Sequence, residues 1–151
     1  MDKDFLSIIN TENTGSDYSY EVITAEISTA EAARHRDVAR FEKLCRECPC
    51  YGRRWCCPPL ETDELEKPEK YPTLTLVGAR ITPKITGRPI EEAGSLIADC
   101  RRHIEPQILK KEKETGGFAA LFTGQCTHCG KQKCTRIKGD PCRHPELVRP
   151  S

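Results

Sequence analysis

The stretch "FEKLCRECPCYGRRWCCPPL", residues 41–60, sets the main constraint on how this chain folds. It holds five of the ten cysteines within 13 positions, a density of thiols that no buried core requires. Disulfides, a bound metal and thiol redox chemistry are three explanations for such a loop. The composition and the second half of the chain help to choose among them.

The composition predicts a small domain with a modest core. The chain has 151 residues, of which 36% are hydrophobic and 6% aromatic. Chains this poor in core-forming residues often use metals or disulfides to hold their loops. The net charge of +1 gives no general attraction to nucleic acid or membrane. Charge is concentrated locally, because Cys126–Ser151 carries six basic and two acidic residues, a net +4.

The N-terminal sequence predicts a cytosolic location. "MDKDFLSIIN" has no basic run before a long apolar stretch, and its apolar part is too short for a signal peptide or a membrane span. Thiols stay reduced in the cytosol, so the cysteines are interpreted as ligands or redox groups before disulfides.

Alternation and capping patterns predict the first elements. "YSYEVITAEI", residues 18–27, alternates with period two and is typical of a strand, with Tyr18, Tyr20 and Val22 on one face. Ser28 followed by Glu31 is a capping-box pattern, which predicts a helix running toward Leu44. "YPTLTLVGARI", residues 71–81, predicts a buried strand.

The clearest helix is predicted within residues 88–117, ending at two glycines. A short strand, "FAALF", is predicted at residues 118–122. The expected apolar stripe of the helix consists of Ile90, Ala93, Ile97, Cys100, Ile104 and Ile108. Together these elements predict an α+β fold: one small domain over residues 1–151, with a short mixed sheet and two or three helices. Residues 1–17 are expected to be a flexible lead-in, and residues 45–59 and 124–151 to be cysteine-rich metal-binding loops.

The second cysteine group has the spacing of a metal site, Cys126-x2-Cys129-x4-Cys134-x7-Cys142. Four thiolates within 17 residues can surround one centre, because C-x2-C turns both sulfurs inward on a tight loop. Nearby glycines permit such turns, at Gly124, Gly130 and Gly139.

The first group has a less regular spacing, Cys45-x2-Cys48-x-Cys50-x5-Cys56-Cys57-Pro58-Pro59. Adjacent cysteines point in different directions, so one of Cys56 and Cys57 is expected to be a spectator. Cysteine followed by proline resembles the ending of ferredoxin-type cluster motifs. Tyr51 and Trp55 could form an apolar wall beside a metal centre, although Trp55 could equally be a core anchor.

A cysteine and the histidines outside the proposed ligand set could bind a metal, but most of them are expected to have structural or surface roles. Cys100 lies on the apolar stripe of the long helix, away from other cysteines, and is expected to be an inert core residue. His128 is expected to point away from a shared centre, whereas His144 could orient or replace a ligand. His35 and His103 are expected at the surface or its boundary.

The motifs "CRECPCYGRRWCCPP" and "GQCTHCGKQKCTRIKGDPCRHPELVRPS" closely resemble the predicted metal-binding proteins called domain of unknown function 2284. The resemblance covers about residues 38–151 and implies ligation, with iron–sulfur clusters as the expected cofactor in a cytosolic protein. By position, the family's cysteines fall on Cys45, Cys48, Cys57, Cys126, Cys129, Cys134 and Cys142. A four-cysteine site and a three-cysteine site are implied.

Two departures from the family pattern remain open. Cys50 and Cys56 stand where the family has other residues, so they are either spare thiols or an added ligand. Family members continue past the final R-x-S motif, so a C-terminal element missing after Ser151 is an expectation.

Three functions are compatible with these residues. The first is a cytosolic 4Fe-4S protein that transfers electrons to a redox partner protein or serves a redox enzyme, with Lys131, Lys133 and Arg136 offsetting cluster charge. The second is a structural zinc module for a protein or nucleic-acid partner, although nucleic acid is disfavoured because no aromatic residue follows Cys126.

The third function is a thiol–disulfide enzyme acting through Cys126 and Cys129, which Gly130 disfavours by interrupting the helix such a motif normally opens. The common nucleotide-binding, hydrolase and zinc-protease motifs are missing, so the catalytic residues stay unknown. The net charge of +1 predicts no membrane partner.

Overall fold

The computed structural model describes residues 17–60, 68–87, 89–120 and 124–149. Its strands are β1 (Tyr18–Ser28) and β2 (Thr73–Pro83), and its helices are α1 (Thr29–Arg34), α2 (Val38–Glu47) and α3 (Ala93–Thr115). Short 3-10 helices lie at Pro68–Lys70, Ile90–Glu92 and Thr135–Lys138. The two strands form an antiparallel sheet, and the predicted α+β class is confirmed.

The sheet is smaller than the mixed sheet expected from the sequence. In the described residues it has only the two antiparallel strands, β1 and β2. The start of "FAALF" is not a strand, since residues 118–120 are irregular, and residues 121–122 lie outside the described part of the chain. The expected lead-in also lies outside it, except for residue 17. The predicted domain limits and loop limits stay predictions.

The chain divides into two compact units. The sheet unit comprises the described residues of Met1–Ile27 and Thr75–Gly117, and the cysteine unit those of Ser28–Leu74 and Phe118–Ser151. Both cysteine loops fall in the cysteine unit, and Cys100 alone falls in the sheet unit. None of the described helices combines the length and the hydropathy needed to cross a membrane.

The core of the sheet unit forms where one face of β1 meets α3. Tyr18, Tyr20 and Val22 are buried on alternate positions, as the period of two predicts. They cluster with Cys100 and Ile104 of α3, and half-buried side chains of β2 and α3 pack around them. Cys100 is therefore a core residue, as expected, with 2% of its surface exposed.

The predicted apolar stripe of α3 is only partly correct. Cys100 and Ile104 are buried, whereas Ile97 is half exposed and Ile90 is 81% exposed. Ile90 lies in the 3-10 turn before α3 begins, so it does not share the helical register. Leu96, one position earlier than Ile97, packs against the core instead. The helix ends at Gly116 in the left-handed conformation (φ 65°), as its two glycines predict.

The predicted helix from Ser28 toward Leu44 is two helices. Ser28 caps α1 as expected, because its Oγ accepts the Glu31 backbone N–H at 3.1 Å. Asp37 then caps a second helix, α2, by accepting the Arg40 N–H at 3.1 Å. An aspartate side chain that bonds the backbone in this way favours a new helix start over continuation. The break places Cys45 in the last turn of α2 and Cys48 at its C-cap.

Candidate metal centre

Successive tight turns shape the first cysteine loop. The Cys48 N–H bonds the Cys45 carbonyl and the Tyr51 N–H bonds the Cys48 carbonyl, both at 3.0 Å. Gly52, with φ 66°, donates its N–H to the Pro58 carbonyl at 2.8 Å. This last bond folds the end of the loop back on its middle, so the five cysteines occupy a small closed segment.

The two adjacent cysteines of this loop are its most buried. Cys56 is 2% exposed and Cys57 8%, and their sulfurs lie 3.7 Å apart. Cys45 and Cys50 are half-buried, and Cys48 is exposed. Burial therefore singles out Cys56, a position that the family resemblance leaves without a role.

The second loop is held by turns that need glycine. Gly130 adopts φ 56° and donates its N–H to the Thr127 carbonyl at 3.0 Å, which closes the turn between Cys126 and Cys129. Cys134 lies directly before the 3-10 helix Thr135–Lys138, which ends at Gly139 with φ 76°. A side chain at either glycine would be strained in this conformation. The glycine turns predicted from the sequence are present.

Arg136 clamps the first loop onto the second. Its guanidinium donates to three backbone carbonyls of the first loop, at 2.8, 2.6 and 2.5 Å: those of Arg54, Cys57 and Pro59. It also lies 5.2 Å from the centre of the Trp55 ring. The indole N–H of Trp55 donates to the Thr135 hydroxyl at 3.2 Å. Trp55 thus joins the two loops.

No sequence pattern predicts the Arg136 clamp. Its acceptors are backbone carbonyls, which every residue carries, so residue identities in the first loop give no signal for it. The sequence suggested only that Arg136 offsets negative charge. The hydrogen-bond fork of a guanidinium, which a lysine lacks, explains why an arginine suits this position.

The two cysteine groups meet at Cys56 and Cys126. The Cys126 backbone N–H donates to the Cys56 sulfur at 3.1 Å. A second link follows nearby, where the Cys50 thiol donates to the Gln125 side-chain oxygen at 3.5 Å. The structure therefore places the predicted ligand Cys126 against Cys56, a cysteine outside the predicted ligand set.

The charges around Cys126 come from other cysteines. Burial raises the pKa of the Cys126 thiol, a backbone hydrogen bond from the His128 region lowers it, and the charges of Cys56, Cys129 and Cys142 raise it further. The net direction is upward, because a thiolate is disfavoured beside other thiolates in a half-buried site. A bound cation would reverse this effect, since metal ligation deprotonates a thiol.

Arginine side chains face the sulfurs from both loops. Burial works to lower the pKa of the Arg54 guanidinium, but its hydrogen bond to Cys50 and the charges of Cys50, Cys56 and Cys57 outweigh burial and raise that pKa. Arg143 lies 3.7 Å from the Cys129 sulfur and donates to the Lys133 carbonyl at 3.1 Å. These cations stabilise negative charge on the neighbouring sulfurs.

The histidines of the second loop support its backbone. The His128 ring nitrogen lies 3.1 Å from the Leu147 carbonyl, in agreement with the expectation that this ring faces away from the cysteines. His144 contacts a cysteine through its backbone, whose N–H donates to the Cys142 sulfur at 3.4 Å. His35 and His103 are exposed beside Glu31 and Asp99.

The donor set of the cysteine unit fits a thiophilic metal. All ten cysteines of the chain are free thiols, and nine of them lie in this unit. Thiolates are preferred ligands of zinc and of iron–sulfur clusters. Within the described ranges, no three His, Cys, Asp or Glu side chains form a group that could hold a single metal ion.

The fold and the thiol-rich loops define a small cysteine-rich α+β protein. The model of the family described as "Predicted metal-binding protein (DUF2284)" matches residues 25–151, and the chain belongs to that family. This agrees with the resemblance stated from the two cysteine motifs and extends it toward the N-terminus. No curated protein and no solved structure matches the chain.

Proposed function

We propose that this protein is a cytosolic iron–sulfur protein that holds one or two 4Fe-4S clusters. It transfers electrons to a redox partner protein or serves a redox enzyme as an accessory. The proposed ligands are the family-like cysteines Cys45, Cys48, Cys57, Cys126, Cys129, Cys134 and Cys142. Membership of a family of predicted metal-binding proteins supports the ligation of a metal.

The observation that carries the proposal is the junction of the two cysteine loops. The Cys126 N–H donates to the Cys56 sulfur at 3.1 Å, within a half-buried site whose donors are thiols. Hydrogen bonds to sulfur, partial burial and nearby positive charge are the main influences of a protein on cluster potential. Arg54 and Arg143 supply the positive charge.

The spacing of the cysteines is compatible with a cluster. Each of the four cysteines around a 4Fe-4S cluster binds a different iron, so their sulfurs need not converge on one point. The cluster, when bound, supplies one-electron redox chemistry. The protein residues bind it, shield it partly from water and neutralise part of its charge. No catalytic residue is proposed.

The test is the content of iron and acid-labile sulfide in anaerobically purified protein, together with its visible absorption spectrum. We expect about four or about eight of each per chain and a brown colour that dithionite bleaches. The iron content of the single variants C45S and C126S then shows how much of the iron each loop binds.

Zinc is the main competing outcome of this test. A colourless protein with stoichiometric zinc and no sulfide, purified with the same care against oxygen, would contradict the electron-transfer function. The two cysteine loops would then form a structural zinc module for a protein or nucleic-acid partner.

A further inference from the structure

Cys56 is absent from the set of cysteines that the family resemblance assigns, yet it is the most buried thiol of the cysteine unit. Only 2% of its surface is exposed, compared with 8% for Cys57 beside it. Its sulfur accepts the Cys126 backbone N–H at 3.1 Å. Burial and this hydrogen bond together hold the Cys56 sulfur at the junction of the two cysteine loops.

The Cys56 sulfur has neighbours in both loops. It accepts the backbone N–H of Cys126 at 3.1 Å and lies 3.7 Å from the sulfur of Cys57. The clamp of Arg136 on the Arg54, Cys57 and Pro59 carbonyls fixes the backbone on both sides of Cys56. The Cys56 sulfur is thus held against the backbone of the second cysteine group.

We propose that Cys56 is a ligand of the same metal centre as Cys126, so that one centre takes thiolates from both loops. This inference rests on the proposed function. On binding, the Cys56 thiol releases its proton to solvent and its sulfur forms a bond to the metal. Cys57 stays with the family-like cysteines of the first loop. Of the two adjacent cysteines, neither is then a spectator.

The test compares substitutions in the full chain, purified without oxygen. We expect C56S to lose the same share of iron and sulfide as C126S, and the double variant C56S/C126S to lose no more than either one. If another thiol substitutes for Cys56, the content persists and the electron paramagnetic resonance (EPR) spectrum of the reduced protein changes, which also supports ligation. The matched control is C100S, because Cys100 is equally buried, at 2%, and lies in the sheet unit. C100S should keep the wild-type content and spectrum.

The inference is overturned if C56S keeps both the wild-type content and the wild-type EPR spectrum, or if the double variant loses the sum of the two single losses. Should C56S fail to fold by circular dichroism, paramagnetic NMR of the wild-type protein decides instead. The β-protons of a ligating cysteine are shifted by the unpaired electrons. If the Cys126 β-protons are shifted and the Cys56 β-protons are not, ligation by Cys56 is contradicted. Shifted Cys56 β-protons would support it.

The outcome is separable from that of the proposed function. If the wild-type protein holds zinc without sulfide, the iron–sulfur function fails, but cobalt can replace zinc and report on Cys56. Loss of the Cys56 thiolate should weaken the sulfur-to-cobalt charge-transfer band of C56S relative to wild type. An unchanged band would overturn the ligand assignment.

Discussion

At the scale of single residues, Arg136 contributes most visibly to the junction between the cysteine loops. R136A removes three hydrogen bonds to carbonyls and a contact with Trp55, so we expect it to destabilise the folded protein by about 3 kcal/mol. R136K should recover only part of this loss, because lysine lacks the planar fork. Urea unfolding of the metal-loaded protein measures the effect.

Lys138 provides the control for Arg136. It lies on the same 3-10 helix, is exposed and carries the same charge, so K138A should change the stability by less than about 0.5 kcal/mol. Equal unfolding midpoints for R136A and K138A would show that the clamp has no role in stability.

A second residue-scale prediction concerns Tyr18 and Asp99 in the sheet unit. The buried Tyr18 hydroxyl donates to the Asp99 carboxylate at 2.5 Å, and this bond, with that from Arg102, lowers the pKa of Asp99 below its usual value. The carboxylate therefore stabilises the fold above the ordinary aspartate pKa, and this contribution is lost as the pH falls through the lowered pKa. Y18F should move the pKa of Asp99 upward.

An NMR titration of the Asp99 carboxyl group measures this shift. Y20F is the matched control, because Tyr20 is also buried in the same cluster but does not cause the shift. An Asp99 pKa that is the same in wild type and Y18F would contradict the assigned hydrogen bond.

At the scale of elements, residues that the helical pattern predicts on one buried face of α3 differ in how deeply they are buried. Ile97 and Ile104 both belong to the stripe expected from the sequence, but Ile104 is 8% exposed and Ile97 50%. I104A should cost about 3 kcal/mol through lost burial and a cavity, whereas I97A should cost less than about 1 kcal/mol. Thermal or urea unfolding compares them, and equal losses would contradict the packing of α3 described above.

These elements also show what the sequence could and could not predict. The alternation in β1, the Ser28 cap and the glycines after α3 act over a few neighbouring residues, and their consequences appear as predicted. The Asp37 side chain caps a new helix and so competes with continuation of the first one. The apolar pattern in this region is too weak to show where one helix ends, so the break was not predicted. The exposure of Ile90 was missed because helical periodicity does not reveal where a 3-10 turn ends and α3 begins.

At the scale of the whole molecule, the chain concentrates nine thiols in one unit and leaves the tenth in a hydrophobic core. The spacing of the cysteines predicted two metal-binding loops, because local spacing determines which sulfurs can share a tight turn. The meeting of Cys56 with Cys126 joins residues 70 positions apart, and no local pattern contains it. The hydrogen bonds of Arg136 likewise join residues that are far apart in the sequence, so no local pattern predicts them.

The most direct test of the iron–sulfur proposal is a Mössbauer spectrum of the wild-type protein, produced with iron-57 and purified without oxygen. The proposal predicts that essentially all the iron gives the signal of delocalised mixed-valence iron in a tetrahedral sulfur environment, as in a 4Fe-4S cluster. A sample whose iron is high-spin and bound to nitrogen or oxygen, or which contains zinc in place of iron, would contradict it.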